Sequence, residues 1–487
     1  MTLARNTVFS AIGQGVPLLV AIVTLPLFIE AIGAARYGAL AIAWLALGYF
    51  GAADFGLGRA ITQRIAAMRE AGPNERADAV WSALAGMLGL SLATALVLYV
   101  AARWYFADIF EVGSDLRAEA LASVWILAAS TPVVALTGVM GGALMGLERF
   151  GLVAASTVLS RSLILILPLA CALLIDPGLP ILVLASLVAR LLGSALLVPA
   201  VWRRFLKGQP RTVSRAELKR LTGFGAWIMI TALAAPLMAY ADRFVIGAVL
   251  GAVAVAAYAI PYDIASRTMM LPGALAQALF PRFAADQGAD AAARCRDYSV
   301  FVGLLFAPAI AALVCLAGPL LHLWLGDNLD PRSVPIAQII LVGFWTNAIA
   351  QVPHGFIQAR GDPRFTALLQ LAELPLYFAL LAWLGSTLGL IGFALAFAMR
   401  CAVDALLLLR RAGASGGALL GRLAASGGIL SLALCVGMSV TSTTALVGFA
   451  IALAGLSSVL GWTLLPNDIR SLLSAIVKSR AAGRARS

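Results

Sequence analysis

Charge is what this sequence has least of. Only 12% of its 487 residues are Asp, Glu, Lys or Arg, where a soluble domain carries about 25%. Lysine is scarcer still. Lys207, Lys219 and Lys478 are the only three, and none follows a glycine. No phosphate-cradling Gly-Lys loop can therefore be written, which excludes an ATP-driven pump encoded by this chain alone. The two histidines, His322 and His354, are too far apart for a zinc-hydrolase motif. The five cysteines (Cys171, Cys295, Cys315, Cys401 and Cys435) show no metal spacing and fall mostly within apolar runs, where a thiol acts as a small hydrophobe. No nucleophile–base constellation stands out. The expectation is a protein that is not an enzyme and needs no metal or other cofactor.

What fills the chain instead is apolar sequence, 62% of all residues. A bilayer-crossing helix needs about 20 predominantly apolar residues, and such runs recur from end to end. Runs such as Leu163–Leu174 do not alternate apolar and polar residues, as strands of a membrane barrel would. The fold class is an all-α polytopic membrane protein. We place fourteen spans, at 7–32, 38–59, 80–102, 119–145, 152–175, 180–201, 222–249, 253–280, 297–318, 335–357, 365–385, 388–410, 423–440 and 444–465. The first is too long for a signal-peptide core and reads as an uncleaved span. The longest loops of one side, Arg103–Glu119 and Leu320–Pro335, cannot fold as domains. That argues against a membrane glycosyltransferase or polymerase with an outer catalytic domain.

The net charge of +12 reports topology rather than nucleic-acid binding, which is not expected. About 26 of the 35 basic residues fall on one side of this span map and about 4 on the other, the positive-inside signature. The richest loop runs from Arg203 to Arg220, and the tail carries Arg480, Arg484 and Arg486. Both termini are expected on the cytoplasmic side.

The chain also repeats itself. Gly33 to Arg64 and Gly251 to Arg282 span the same number of residues, and both arginines precede an apolar residue and Ala-Ala. Glu148-Arg149-Phe150 after span four is matched by Asp362-Pro363-Arg364-Phe365 after span ten. Three landmarks in one order point to two parallel six-helix lobes, a sequence signature of transporter folds. The expected division is an N-terminal lobe at 1–202, a basic linker at 203–221, a C-terminal lobe at 222–411, and two extra spans with a basic tail at 412–487. The stretch 222–285 opens the second lobe and is costly to insert, with Asp242-Arg243, Asp263, Arg267, Pro236, Pro261 and Pro272 inside it.

A charge at the bilayer centre costs roughly 2.5–3.5 kcal/mol on insertion scales, so it faces a partner or a cavity. Asp263 and Arg267, and likewise Arg400 and Asp404, are four apart and can meet on one helix face. Asp242 and Arg243 are adjacent and point apart, which asks for a partner on another helix. Arg161 and Arg190 have no acid within a helical turn. A guanidinium binds phosphate oxygens in bidentate fashion, so these two are the first candidates for an anionic headgroup, with Arg267 and Arg400 behind them. Pairing with Glu30 or Asp54 across the lobe is the structural alternative. Glu30, Asp54, Asp242, Arg243 and Glu373 are candidates for ion coupling or interlobe contacts. His354, with Gln351 nearby, reads as a hydrogen-bonded interior residue. The prolines of spans one, seven and eight (Pro17, Pro26, Pro236, Pro261, Pro272) would kink their helices.

The runs Asn6–Gly13, Pro17–Pro26, Ile32-Gly33-Ala34-Ala35-Arg36-Tyr37-Gly38 and Asp54-Phe55-Gly56-Leu57-Gly58 carry a family resemblance. So do Tyr240-Ala241-Asp242-Arg243-Phe244-Val245-Ile246-Gly247, Tyr258–Asp263 and Phe280-Pro281-Arg282. The chain resembles the bacterial polysaccharide-biosynthesis membrane proteins, the oligosaccharide (O-antigen-type) flippases of the multidrug, oligosaccharidyl-lipid and polysaccharide exporter superfamily. The resemblance implies twelve helices in two lobes, often with two more at the C-terminus, in the bacterial cytoplasmic membrane. It implies export of an undecaprenyl-diphosphate-linked oligosaccharide by alternating access, with basic residues on the diphosphate. The partners it implies are that lipid-linked glycan, membrane lipids and polysaccharide polymerase machinery. A multidrug or small-molecule exporter of the same superfamily is the alternative, and uncompensated acids in the cavity would mark it.

Overall fold

The computed structural model describes residues 3–52, 57–68, 71–219, 238, 240–285, 288, 290–466 and 469–471. No strand occurs among them. Ten helices among the described residues are long and apolar enough to cross a membrane. Large apolar side chains stand outward on them, such as Leu323 at 86% and Leu376 at 70% exposure. Those positions suit acyl chains rather than water.

The ten helices do not map one to one onto the fourteen expected spans. The element α1 (Leu3–Ala52) holds expected spans one and two, and it leaves helical geometry at Gly33, φ 75°, in the gap expected between them. Likewise α12 (Pro363–Arg411) holds spans eleven and twelve and leaves helical geometry at Gly389, close to the boundary expected between them. Span eight is broken into α8 (Gly251–Ser266) and α9 (Met270–Ala285) by a 3₁₀ turn at Arg267–Met269. Most of span seven, with Pro236, lies outside the described residues. The segment 60–67, expected in a loop, is helical as part of α2 (Leu57–Ala67). Its apolar residues Leu57, Ile61 and Ile65 recur every four residues and bury one stripe.

The chain folds into two compact units, Met1–Ala256 and Ala257–Ser487. The expected lobe boundary at the basic linker follows the sequence repeat, whereas the boundary in the fold comes later. Residues 240–256 pack with the first unit. Tyr105 donates its hydroxyl to the Phe244 carbonyl at 2.8 Å, and Glu111 N–H reaches the Gly247 carbonyl at 3.1 Å. Gly38 lies so close to the Ala252 carbonyl that any Cβ there would overlap it.

In the first unit, α2 packs on α3 (Pro73–Trp104) and α4 (Ser114–Gly146) around Ile61, Ile65, Val80, Ala83, Met87, Val139 and Leu144. Gly142 and Gly146, one turn apart, let the backbone of α4 approach α2, and Thr62 donates to the Gly142 carbonyl at 3.0 Å. Small residues at this spacing are how membrane helices pack closely. Next come α5 (Phe150–Leu174), α6 (Leu179–Ala195) and the short α7 (Val198–Val201). The basic linker then folds back on this unit. Glu217 receives a two-pronged ion pair from Arg64 at 2.6 and 3.0 Å, Thr212 bonds Asp78, and Ser214 N–H donates to Ser82. At the far end, Arg36 grips Glu119, which also accepts the Leu179 N–H that opens α6.

In the second unit, α10 (Ala291–Leu325) is the hub. It packs against α11 (Ser333–Ala359) and against the hairpin of α13 (Gly417–Ser439) and α14 (Thr443–Leu464). Trp345 donates to the Gly303 carbonyl at 2.8 Å and Gln338 to the Val314 carbonyl at 3.1 Å, both fully inside. The repeat has a backbone counterpart. Gly33 and Gly251 take φ of 75° and 79°, a left-handed conformation that costs a side-chain-bearing residue energy. Arg64 and Arg282 both fall in the last turn of their helices.

Candidate functional site

Among the described residues each unit holds a group of intramembrane charges that bears on function. In the first unit it is built on the α5–α6 contact. Gly193 of α6 sits against Ser160, where a Cβ would overlap the serine, and Ser156 donates to the Gly193 carbonyl at 2.7 Å. Arg161 follows Ser160 directly, and Arg190 lies three residues before Gly193. The backbone approach therefore fixes both arginines near the same crossing, close enough that Arg161 repels the Arg190 charge. The Nε of Arg190 is buried without a hydrogen-bond partner. Among the described residues neither arginine has an ion-pair partner. Glu30 is exposed on α1 and pairs with neither, and Asp54 lies outside the described residues.

The second unit differs. Arg400, on α12, makes no close ion pair with Asp404, contrary to the expected pairing along the helix. Its guanidinium lies over Tyr377 at 5.3 Å and Phe397 at 5.6 Å and donates to the Cys401 sulfur at 3.5 Å. Such cation–π contacts are worth about 2 kcal/mol when desolvated, and they draw the guanidinium toward the rings. An aromatic cluster backs the site: Tyr262 meets Phe344 and Phe397 at 5.2 Å each. Glu373, only 5% exposed, faces Asp404 with Arg400 acting on both, and neither carboxyl oxygen of Glu373 finds a donor. The group thus holds two acids and one base. Asn347 reaches it from α11 through the Cys401 sulfur at 3.8 Å.

Arg267 is exposed at the 3₁₀ turn. Asp242 and Arg243 are fully buried in the first unit, and they do not point apart as their adjacency suggests. The Arg243 guanidinium curls back to 3.6 Å from Asp242 and lies 5.7 Å from the Tyr240 ring, while the Asp242 carboxylate accepts the Arg243 N–H at 2.8 Å. An adjacent pair can close this way because a long arginine side chain folds over its own backbone. His354 is the interior hydrogen-bonded residue expected, 3.4 Å from Gln358. Cys295, Cys315 and Cys401 are buried, and all five cysteines are free. Among the described residues no cluster of His, Cys, Asp or Glu fits a metal ion.

Tyr377, Asn347 and Gln358 went unnoticed in the sequence. The signal for the last two was present, since Asn347, Gln351, His354 and Gln358 recur at spacings of four, three and four within an apolar span.

Comparison with known proteins gives a consistent picture. The family model described as "Polysaccharide biosynthesis protein" matches residues 3–287, and the "MatE" model matches 228–384. A curated relative from Shigella flexneri, named "Putative O-antigen transporter", is 29% identical over 414 residues, covering 84% of this chain and 97% of its own. Among solved structures, the inward closed lipid II flippase MurJ superposes with a TM-score of 0.74 at 14% identity, over 95% of this chain and 99% of that one. An inward-facing multidrug resistance MATE family transporter reaches 0.65 at 14% identity, over 87% and 99%. These likenesses extend along nearly the whole chain and concern the fold.

Proposed function

Since this chain belongs to the polysaccharide biosynthesis protein family, we propose that it is a flippase for an undecaprenyl-diphosphate-linked oligosaccharide. It carries the headgroup from the cytoplasmic to the outer leaflet of the bacterial cytoplasmic membrane by alternating access. The observation that carries this reading is the Arg161–Arg190 pair. Two cations held together by the α5–α6 crossing, with no acid among the described residues to neutralise them, are stabilised by an external anion. A diphosphate offers enough oxygens for two guanidinium forks. Arg267 and Arg400 are weaker candidates, the first because it stands at a 3₁₀ break in its helix and the second for its engagement with Tyr377, Phe397 and the two acids.

Coupling is assigned to the second unit. Glu373 and Asp404 share one base, so the group has room for a proton or a monovalent cation, and an imposed gradient would act there. Glu30, Asp54, Asp242 and Arg243 have less support, since Glu30 is exposed and Asp242 and Arg243 already engage each other. Both termini lie in the cytoplasm on this reading, following the basic-residue asymmetry, and polymerase machinery acts on the exported product. No bond of the substrate is made or broken.

The same excess of acid in the second unit favours a second reading, export of a cationic small molecule. The test is translocation of a fluorescent lipid-linked oligosaccharide in proteoliposomes holding the purified chain. Movement of the glycolipid that Arg190→Ala abolishes supports the flippase. Export of a cationic dye with no glycolipid movement would select the second reading.

A further inference from the structure

The second unit contains a polar feature of which only Asn347 also touches the Arg400 group. Asn347, Gln351, His354 and Gln358 fall on one face of α11, because spacings of three and four residues return to the same side of a helix. They form a ladder. Gln351 Nε2 lies 3.3 Å from Asn347 Oδ1, Gln358 Nε2 lies 3.4 Å from the His354 ring, and the same nitrogen is 3.3 Å from the Thr366 hydroxyl. These contacts are long and few for groups with so much capacity. A carboxamide offers two donor hydrogens and an acceptor oxygen, and idle polar groups in an apolar span are costly.

The ladder also borders empty space. Gln351, His354 and Gln358 line a cavity of about 340 Å³ whose opposite wall is α9, with Gln277 and Phe280. That volume is at the lower end for a small-ligand site, ~300–1,000 Å³. Gly355 and Gly273 border it from the two helices, and a Cβ on either would meet nothing within 4 Å. Among the described residues its wall carries no charged side chain. The chemistry on offer is carboxamides and an imidazole that both donate and accept, beside one aromatic face. This matches a sugar ring, whose hydroxyls both donate and accept and whose C–H face is apolar. It does not match a phosphate, which calls for cations.

We propose that Gln351, His354 and Gln358 of the ladder and Gln277, with Phe280 beside them, form a glycan-contacting subsite for an uncharged sugar of the translocated headgroup. This rests on the flippase reading and adds to it a place in the second unit where the sugar is read. Carboxamides discriminate well because a sugar lacking the matching hydroxyl leaves them unpaired.

The test compares two probes on the full-length chain in lipid nanodiscs: undecaprenyl diphosphate alone, and the same lipid carrying the oligosaccharide extracted from the producing cells. The quantity read is the ratio of the two Kd values. For the wild type we expect a preference for the glycan-bearing probe. Gln351→Ala combined with Gln358→Ala should reduce that preference about tenfold, the loss of two hydrogen bonds at roughly 0.5–1.5 kcal/mol each. Gly355→Leu should reduce it similarly by filling the cavity while every polar group remains, which separates a subsite from a mere packing role. A ratio unchanged in folded variants, or equal losses for both probes, overturns the subsite. A wild type that binds neither probe overturns the flippase reading, and the subsite with it.

Discussion

The two units handle intramembrane charge in opposite ways. In the first, Arg161 and Arg190 are held together by a helix crossing and have no acid partner among the described residues. In the second, Arg400 is enclosed by aromatic rings and faces two carboxyls, one of which, Glu373, is buried with both oxygens lacking a donor. The first arrangement is incomplete without an anion, the second without a proton or cation. A charge within a membrane span persists only if something compensates it during the working cycle. On the function proposed above, substrate headgroup and driving ion act in different halves of the chain.

Arg190→Ala tests the first half of that contrast most severely. Removing one of two forks on a diphosphate should lower export of surface polysaccharide at least tenfold, with the protein still present in the membrane by immunoblot. Normal export in both the Arg190→Ala and Arg161→Ala strains would strip the pair of its role. A disruption of the scaffold comes next in size. Replacing Gly193 with Val should push α5 and α6 apart at Ser160 and destabilise the unit by about 1–3 kcal/mol, read as a lower melting temperature in detergent. An unchanged melting temperature would mean that the crossing does not set the spacing of the arginines.

Glu373→Gln addresses the second half. It should leave binding of bare undecaprenyl diphosphate intact and make translocation in proteoliposomes respond several-fold less to an imposed proton or sodium gradient. An undiminished response would remove coupling from the second unit.

The smallest effect concerns the start of α12. Asp362 caps the helix by accepting the Phe365 N–H at 3.2 Å and pairs with Arg411 at 2.6 Å. The guanidinium beside it holds its carboxyl below the usual aspartate range. A carboxyl lowered by folding contributes stability above its unfolded value, about 3.9, and loses it as pH falls through the lower folded value. Asp362→Asn should therefore cost a fraction of a degree to a few degrees of melting temperature at pH 7. The difference from wild type should shrink below about pH 4. A difference that is constant down to pH 3 would show that capping geometry, not charge, is what counts there.

Much of the molecule could be read from residues alone. The all-helical membrane class followed from the length of the apolar runs, since each such run must satisfy its own backbone in lipid. The repeat was visible in the spacing of Gly33 to Arg64 and Gly251 to Arg282, and the matching left-handed turns at the two glycines gave it a backbone counterpart. Helix ends were less legible. The break at Arg267 falls inside one expected span, whereas the kinks at Gly33 and Gly389 fall near where two spans were expected to part.

The lack of an acid near Arg161 and Arg190 in sequence was enough to single them out, because charge and helical reach are local properties. That the two arginines lie together was decided by tertiary structure, through the close approach of Gly193 to Ser160. So was the placing of the Arg400 guanidinium over Tyr377 and Phe397 as well as near the two acids. The polar ladder of α11 had its spacing written in the sequence, but a spacing cannot say whether a helix face meets another helix or open space. Only packing sets that, because whether a charge or a carboxamide has a partner depends on side chains brought from distant parts of the chain.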